Sequence, residues 1–357
     1  MIPFARTDGG AAAARRREPA ESSAMPAETL RISVVIPTCR RPDLLCRCLA
    51  ALFAQRIDRS AFEVIVVDDG PSSDTLAVVE AFRMQPDGPV LRLVRPRRGR
   101  GPAVARNAGW RAAYGKVIAF TEDDTIPAPE WLENGERALV PGLVALCGRV
   151  LILPAPPDAG EGYQPTDHEA MTRGLESAES VTANAFVRRS ALLTVGGFDE
   201  RFQQAWREDC DLQFRLLRDA GPIGRTAEAV VLHPMRRESW GVCLRQQRNA
   251  FFDALLFKKH PRLCRERILA APPWDHYLIV VLTLAAVLLW LGEIHGSAMV
   301  SLALAFAGVL RLAARRLRHT TCTPEHVVET VLTSVLIPFL SVYWRLRGAI
   351  HFRVLFL

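Results

Sequence analysis

Short apolar runs alternate, over residues 31–120, with segments in which apolar residues recur at helical spacing. The runs are rich in β-branched residues and almost uninterrupted, as expected of strands buried on both faces. They read RISVVIPT, FEVIVVDDG, PVLRLV and KVIAF, and the best-marked helix between them is RPDLLCRCLAALFAQ. This alternation predicts a parallel sheet covered by helices on both faces, in which ligands bind at the carboxyl ends of the strands.

The pattern becomes less regular further along the chain. Residues 143–233 contain the strand-like run LVALCGRVLIL, a Pro- and Gly-rich segment at 154–174, and a helix that begins near REDCDLQF. We expect the Pro- and Gly-rich segment to be a mobile loop and a cationic helix to follow over residues 238–260. These elements complete a folded domain over residues 31–265.

Two wholly apolar runs follow, at residues 277–292 and 296–310. Each is shorter than the roughly 20 residues of a perpendicular membrane span, so a buried soluble hairpin is the alternative. Apolar residues on every helical face and aromatic residues at the run ends favour a transmembrane helical hairpin over residues 274–312. By the positive-inside rule, the arginines that follow place this end, and the N-terminal domain, in the cytoplasm.

The two ends of the chain are less apolar. Residues 327–344 are interrupted by Glu329 and Pro338 and are followed by arginines that a third span would carry outward. We therefore predict a basic loop and an interfacial or re-entrant helix over residues 313–357. Residues 1–30 lack the apolar core of a secretory signal, and we predict a disordered leader, with a weak tether to anionic lipid as the alternative.

Charge and cysteine content narrow the class of partner. The net charge of +7 suits an anionic partner, whether nucleic acid, anionic lipid or a phosphorylated small molecule. Nucleic acid is the least favoured, because the arginines are scattered and no binding motif frames them. The eight cysteines form no C-x-x-C pair, so we expect reduced packing residues in a cytoplasmic protein.

Polar residues stand where three of the predicted strands end. Pro37 and Thr38 end the first strand, Asp68 and Asp69 the second, and the turn Glu122 to Asp124 follows the fourth. The acids therefore converge on one rim of the sheet, where carboxylates are natural hosts for a divalent cation. The alternatives are an Asp-rich loop that caps the next helix and, for Asp68, an acid that braces a turn.

Five segments in this order resemble the family-2 glycosyltransferases of the GT-A fold, in particular membrane-anchored bacterial members. They are VVIPTCRRPDLL, VIVVDDG, ARNAGWRAAYGKVIAFTEDD, TANAFVRRSALLTVGGFDERF and REDCDLQFRLL, and the resemblance covers residues 32–260. It implies an α/β GT-A fold, which is Rossmann-like, with a mostly parallel sheet and helices on both faces. The C-terminal transmembrane hairpin and interfacial helix would follow this domain.

The resemblance also implies roles for individual residues. Asp209 corresponds to the general base, with Glu208 beside it, although acids at this point also suit a plain helix start. Asp124 corresponds to the metal ligand, and Glu122 and His233 are further candidates for Mg²⁺ or Mn²⁺. The family more often has Asp at position 122, so we expect Glu122→Asp to be mild. The implied nucleotide-sugar contacts are Pro37, Thr38, Arg40, Asp69, Arg106, Asn107, Asp123, Asn184 and Gly197.

Together these features predict an inverting hexosyl- or deoxyhexosyltransferase. It would move a single sugar from a nucleotide-diphosphate sugar to a lipid-linked or cell-surface glycan acceptor at the cytoplasmic face of the inner membrane. The absence of G-x-G-x-x-G after the first strand argues against a dinucleotide-dependent oxidoreductase. In RQQRNA, Asn249 stands where processive synthases have Trp, which argues against a polymer channel. The remaining alternative is a non-catalytic membrane scaffold with a degenerate site, supported by Glu122 alone.

Overall fold

The computed structural model describes residues 30–97, 101–153, 163–179, 182–235 and 238–356. Two sequence predictions therefore lie partly outside the described residues. These are the predicted leader, of which residues 1–29 are not described, and the Pro- and Gly-rich segment, of which residues 154–162 are not described.

Within the described ranges, eight strands form one sheet in the order β3-β2-β1-β4-β7-β6-β8-β5. They are β1 (Ile32–Thr38), β2 (Phe62–Asp68), β3 (Val90–Val94), β4 (Val117–Phe120), β5 (Ile126–Pro127), β6 (Ala145–Ile152), β7 (Ala185–Arg188) and β8 (Ile223–His233). The first four strands are mutually parallel, whereas β7 runs antiparallel to both β4 and β6. The sheet is mostly parallel, as the apolar runs predict.

Helices cover both faces of this sheet and form the C-terminal part of the chain. They are α1 (Pro42–Phe53), α2 (Ser73–Arg83), α3 (Pro102–Ala112), α4 (Trp131–Ala138), α5 (Asp167–Thr172), α6 (Gly174–Ser177), α7 (Arg189–Val195), α8 (Glu208–Asp219), α9 (Val242–Gln246), α10 (Ala250–Lys259), α11 (Pro261–Arg267), α12 (Trp274–Leu291), α13 (His295–Arg316) and α14 (Pro324–Phe352). Alternate residues of β1 point to opposite faces, so Ile36 packs in one apolar core and Val35 in the other.

The predicted helix over residues 238–260 is wrong in its bounds and continuity. Helix α9 begins at Val242, and a 3-10 turn at Gln247–Asn249 separates it from α10. Gly241 precedes α9 with a φ of +73°, a left-handed conformation that glycine adopts without a steric penalty. Its N–H donates to Glu329 Oε1 at 2.7 Å, so a contact with α14 sets where the helix begins.

Helices α12 and α13 form the predicted hairpin. Ser301 Oγ donates to the Leu282 carbonyl at 2.8 Å, and a Cβ on Gly308 would lie 2.8 Å from Ile279, so the two helices pack closely. By length and composition, α12, α13 and α14 could each cross a membrane, with mean hydropathies of 1.8, 1.8 and 1.6. Helix α13 continues to Arg316, so residues 313–316 of the predicted basic loop are helical.

Helix α14 is unbroken through Pro338, and no reversal occurs between Pro324 and Phe352. The re-entrant alternative is therefore wrong. Both parts of the helix contact the α/β domain, through Glu329 to Gly241 and through the Phe352 carbonyl, which accepts from Lys258 Nζ at 2.7 Å. Glu329 and Phe352 are about 35 Å apart along a straight helix. The helix therefore lies along the domain.

The two faces of α14 differ in polarity. The face toward the protein buries polar side chains, among them Thr330, Ser334 and Arg345. The outward face exposes large apolar side chains, which are Val328, Val331, Leu332, Val335, Leu336, Tyr343, Leu346 and Ile350. A helix with its polar side against protein and its apolar side outward is suited to a lipid surface.

Candidate active site

The acidic turn is tied to the end of β1. Because β1 and β4 are parallel neighbours, Thr38 lies beside the turn that follows β4. Its Oγ1 donates to Asp123 Oδ2 at 2.8 Å, and Arg41 Nη1 donates to Asp123 Oδ1 at 3.1 Å. Burial raises the pKa of Asp123 to about 6, although Arg41 and Thr38 oppose that rise. The predicted site residues Thr38 and Asp123 are therefore in direct contact.

Arg41 is a contact that the sequence reasoning missed. Its Nη1 also lies 3.5 Å from Asp124 Oδ2, so it bridges two acids of the turn. Its neighbour Arg40, the residue named from the resemblance, is exposed and has a φ of +54°. Pro37 is partly buried in β1 and helps to bring this loop to the sheet rim. The only sequence signal for Arg41 was its place just before the Pro that begins α1.

Asp124 and His233 are brought together by a two-residue strand. Strand β5 leaves the acidic turn and pairs antiparallel with the end of β8, so that Ile126 lies opposite Leu232. His233 Nε2 consequently lies 3.8 Å from Asp124 Oδ1, and both residues are buried. The Nδ1 atom of this histidine has no hydrogen-bond partner among the described residues.

Asp124 and His233 are suited to a divalent cation that takes only a few of its ligands from the protein. Two neighbouring ligands of an octahedral ion, each about 2.1 Å from it, lie roughly 3 Å apart, so the observed 3.8 Å would have to close by under about 1 Å. No group of three or more metal-binding side chains occurs among the described residues. In the described part of the chain, two candidate ligands thus come together, which suits Mg²⁺ or Mn²⁺ that also takes oxygens from phosphate and water. Glu122, the third metal candidate, has a different partner.

Arg106 bridges Glu122 and Glu208. Its Nη2 donates to Glu122 Oε1 at 2.9 Å, and its Nη1 donates to Glu208 Oε1 at 2.9 Å. Arg106 is only 2% exposed, so it is a buried residue of the site and not an ordinary exposed helical arginine. Since the two glutamates belong to the acidic turn and to the start of α8, this guanidinium joins the two halves of the site. A charge-assisted pair of this kind is strong when it is buried.

Asp209 lies in the first turn of α8, next to Glu208. It is half-buried, and its Oδ1 accepts from the N–H of Cys210 at 2.7 Å. Burial raises the pKa of Glu208 to about 7, Arg106 opposes this rise, and the charge of Asp209 adds to it. The structure thus sets a partly accessible carboxylate beside a buried one, on a helix that is anchored to the acidic turn.

Several contacts that the sequence did not reveal fix the position of α8. Arg207, with a φ of +74°, precedes the helix and donates through Nε to Asp253 Oδ1 of α10 at 2.7 Å. Asp211, one turn into α8, is fully buried and pairs with His260 Nε2 at 3.1 Å and with Lys259. These partners lie far away in sequence, so no local pattern could identify them.

Asn107 and Gly197 brace one another. Asn107 Oδ1 accepts from the Phe198 N–H at 2.9 Å, while its Nδ2 donates to the Phe198 carbonyl and to Glu200. A Cβ on Gly197, whose φ is +77°, would lie 2.5 Å from Asn107 Oδ1. The glycine therefore permits close packing on α3. This geometry favours a bracing role for both residues over direct contact with a donor.

Asn184 is likewise occupied within the protein. Its Oδ1 accepts from Trp131 Nε1 at 2.8 Å, and its Nδ2 donates to the carbonyls of Arg149 and Ala229. Its side chain is fully buried. The structure thus favours a role for Asn184 in joining α4, β6 and β8 rather than in touching a sugar.

Asp69 and Asp68 take different places at the end of β2. Asp69 is half-buried, and its Oδ2 accepts from the N–H of Gly101 at the start of α3, at 2.7 Å. Asp68 is fully buried, 3.6 Å from Arg95 Nε. Asp69 is therefore the more accessible of the pair, as a ligand-contacting residue at this rim requires.

Two family models match the chain. Residues 33–194 match the model described as Glycosyl transferase family 2, and residues 167–342 match Glycosyl transferase family group 2. Glycosyltransferase AglE of Haloferax volcanii is 29% identical over 170 residues, which are 47% of this chain and 55% of that protein. Validoxylamine A glucosyltransferase of Streptomyces hygroscopicus subsp. jinggangensis is 27% identical over 276 residues, covering 66% of this chain and 62% of that protein.

Succinoglycan biosynthesis protein ExoM of Rhizobium meliloti is also similar, at 29% identity over 59% of this chain and 69% of its own length. The chain thus spans about half the length of several curated relatives that it matches. A solved structure, mannosyltransferase PcManGT from Pyrobaculum calidifontis in complex with GDP-Man and Mn²⁺, aligns with a TM-score of 0.53 at 20% identity. That alignment covers 94% of this chain and 90% of the other, so the two share a fold.

Proposed function

This chain belongs to the family-2 glycosyltransferases, and we propose that it transfers a single sugar from a nucleotide-diphosphate sugar to a glycan acceptor with inversion. The observation that carries the proposal is the Arg106 bridge, which anchors the start of α8, with Asp209, to the turn that holds Asp124. A candidate base and a candidate diphosphate site are thereby held at one rim of a GT-A sheet.

The reaction that suits this arrangement is a single displacement. Asp209 accepts the proton of an acceptor hydroxyl, whose oxygen forms a bond to the anomeric carbon of the sugar. The bond from that carbon to the diphosphate breaks on the opposite side, and the nucleoside diphosphate leaves with the electron pair. Attack opposite the leaving group inverts the anomeric configuration.

Asp124 and His233 are the residues that would hold a divalent cation. Mg²⁺ or Mn²⁺, when bound, neutralises charge on the departing diphosphate. The similar mannosyltransferase contains both GDP-Man and Mn²⁺, which supports metal use here. Thr38, Asp69 and Arg41 border the same rim and would face the nucleotide, Arg41 supplying positive charge at the acidic turn.

A membrane location accounts for the C-terminal helices. We infer that α12 and α13 cross the membrane as a hairpin, because their outward surfaces expose large apolar side chains such as Leu284, Leu288 and Phe306. Arg315 and Arg316 at the end of α13 favour a cytoplasmic position for that end and for the catalytic domain. The apolar outward face of α14 supports the interfacial position predicted from the sequence. An acceptor carried on a lipid suits this arrangement.

The scaffold alternative loses its only support. Glu122 in place of Asp was the sign of a degenerate site, but its pairing with Arg106 gives the longer side chain a structural reason.

The proposal is tested with the purified full chain in detergent, a panel of nucleotide-sugars, Mg²⁺ or Mn²⁺, and lipid extracts as acceptors. We expect transfer in the wild type and its loss in both Asp209→Asn and Asp124→Ala. Asp219→Asn, at the exposed far end of α8, is the matched control and should transfer normally. Metal-dependent transfer that persists in both site variants would overturn the assignment.

A further inference from the structure

A cavity of about 770 Å³ lies between the α/β domain and the three C-terminal helices. One wall is formed by α5, α9 and α10, and the other by the ends of α12 and α13 and the middle of α14. Trp206, which lines the cavity, stands just before Arg207 and the start of α8. The cavity therefore lies next to the segment that carries Asp209.

Positive charge dominates the lining. Four arginines face two aspartates, which leaves two positive charges in excess. The arginines are Arg315, Arg316, Arg318 and Arg345, and the aspartates are Asp167 and Asp253. Arg316 is committed to the fold, because it donates to Asp167, Thr333 and Ser334. Arg315 is also engaged, in an ion pair with Asp275 at 2.9 Å. Anions are attracted to such a lining, and Arg318 and Arg345 are the groups that would hold one.

Arg345 is the side chain that most requires a ligand. It is 5% exposed, and its Nη1 has no hydrogen-bond partner among the described residues. The nearest acid, Asp253, lies 4.0 Å away and already accepts hydrogen bonds from Trp206 and Arg207. A buried guanidinium without its full set of acceptors is unfavourable unless an anion completes it, and phosphate oxygens match the planar donor fork well.

The ligand must also have an apolar part. Leu312 of α13 and Ile337 of α14 line the cavity beside the arginines. The helices that form this wall expose apolar side chains on their outer surfaces, where lipid would lie. An anionic headgroup held here would have its hydrocarbon tail next to the membrane. A water-soluble anion has no such tail and does not need this apolar wall.

We propose that this cavity binds the phosphate group of a lipid-linked acceptor through Arg345 and Arg318, next to the segment from Trp206 that leads into α8. The inference rests on the proposed function, since it identifies the acceptor of that reaction. It adds a binding site separate from the rim that receives the donor.

The test is a direct binding measurement on the full chain in detergent micelles. The probe is farnesyl phosphate with a fluorescent label on the hydrocarbon chain, compared with equally labelled farnesol. We expect the phosphate to bind more tightly than the alcohol, and Arg345→Gln to weaken phosphate binding about ten- to a hundredfold while leaving the alcohol unaffected. Arg347→Gln, exposed on the same helix, is the matched control and should bind as the wild type.

Arg318→Gln covers the case in which Arg345→Gln does not fold, because Arg318 is exposed at the cavity rim. We expect it to weaken binding several-fold. Equal binding of phosphate and alcohol, or unchanged binding in every arginine variant that folds, would overturn the proposal. Equal displacement of the probe by inorganic phosphate or by micelles doped with phosphatidylglycerol would overturn it too, because the site would then recognise any phosphate.

Binding is read without catalysis, so the two proposals fail separately. If the probe binds as expected but no nucleotide-sugar is ever consumed, the proposed transfer fails and the lipid site stands. If transfer occurs and depends on Asp209, but farnesyl phosphate binds equally well to the wild type and to the Arg345 and Arg318 variants, only the proposal of a lipid site fails.

Discussion

Substitutions of Glu122 distinguish a hydrogen-bond partner of Arg106 from a metal ligand. The length and the charge of this side chain can be changed independently. In the structure, Glu122 Oε1 lies 2.9 Å from Arg106 Nη2. Glu122→Asp withdraws the carboxylate by about 1.5 Å, beyond hydrogen-bond distance. Glu122→Gln keeps the length and an acceptor oxygen but removes the charge.

A hydrogen bond to a charged group contributes about 1.5 to 3 kcal/mol, and the 31% exposure of Glu122 places this one toward the low end. We therefore expect Glu122→Asp to lower the transfer rate about ten- to thirtyfold, by loosening Arg106 and with it the start of α8. This is a larger effect than the mild one that the sequence alone predicts. Glu122→Gln should retain more activity than Glu122→Asp.

The assay is the rate of sugar transfer at saturating metal, with Glu133→Asp as the control. Glu133 forms an exposed ion pair with Arg137, so its shortening should leave the transfer rate unchanged. The opposite ranking, in which Glu122→Gln is the more damaging variant, would refute the reasoning. It would instead indicate that Glu122 acts through its charge, as a metal ligand does.

Two further predictions concern Glu208 and Gly197. Burial raises the pKa of Glu208 from 4.5 to about 7, so the stability it contributes is full below pH 4.5 and is lost as pH rises through about 7. Melting temperatures from pH 4.5 to 8 should therefore fall less with rising pH in Glu208→Gln than in the wild type; equal slopes would contradict this. Gly197→Ala should lower the melting temperature more than Gly196→Ala, because both have a φ of +77° but only Gly197 meets a neighbour, 2.5 Å away. An equal decrease in melting temperature in the two glycine variants would show that backbone strain, and not the contact with Asn107, determines the loss of stability.

The sequence predicted the parts of the fold that depend on local patterns. Strands β1, β2 and β4 are apolar and nearly continuous because both of their faces are buried, and this is visible in the residues themselves. The start of α9 at Val242 was not visible, because it depends on a contact from Gly241 to Glu329 of a distant helix. Local pattern cannot report a constraint that comes from a residue so far along the chain.

The same distinction holds at the candidate site. Thr38, Asp123 and Asp124 could be grouped in advance because the ends of neighbouring parallel strands meet at one rim. The pairing of Arg106 with Glu208 could not be predicted, since Glu208 lies about a hundred residues further on and only the tertiary fold brings the two side chains together. The resemblance named Arg40, whereas the structure places Arg41 against the acids. The left-handed turn at Arg40 decides which of the two side chains reaches them, and the sequence pattern did not reveal this turn.

The role of Asp209 as the base is the central claim, and the transfer rate of Asp209→Asn relative to Asp219→Asn tests it most directly. The two substitutions make the same chemical change at opposite ends of α8. Loss of a general base lowers a rate by about a hundred- to ten-thousandfold, and we predict a loss of that size for Asp209→Asn with Asp219→Asn unchanged. A rate for Asp209→Asn within a few-fold of that control, in protein that is folded and binds the donor, would contradict the account.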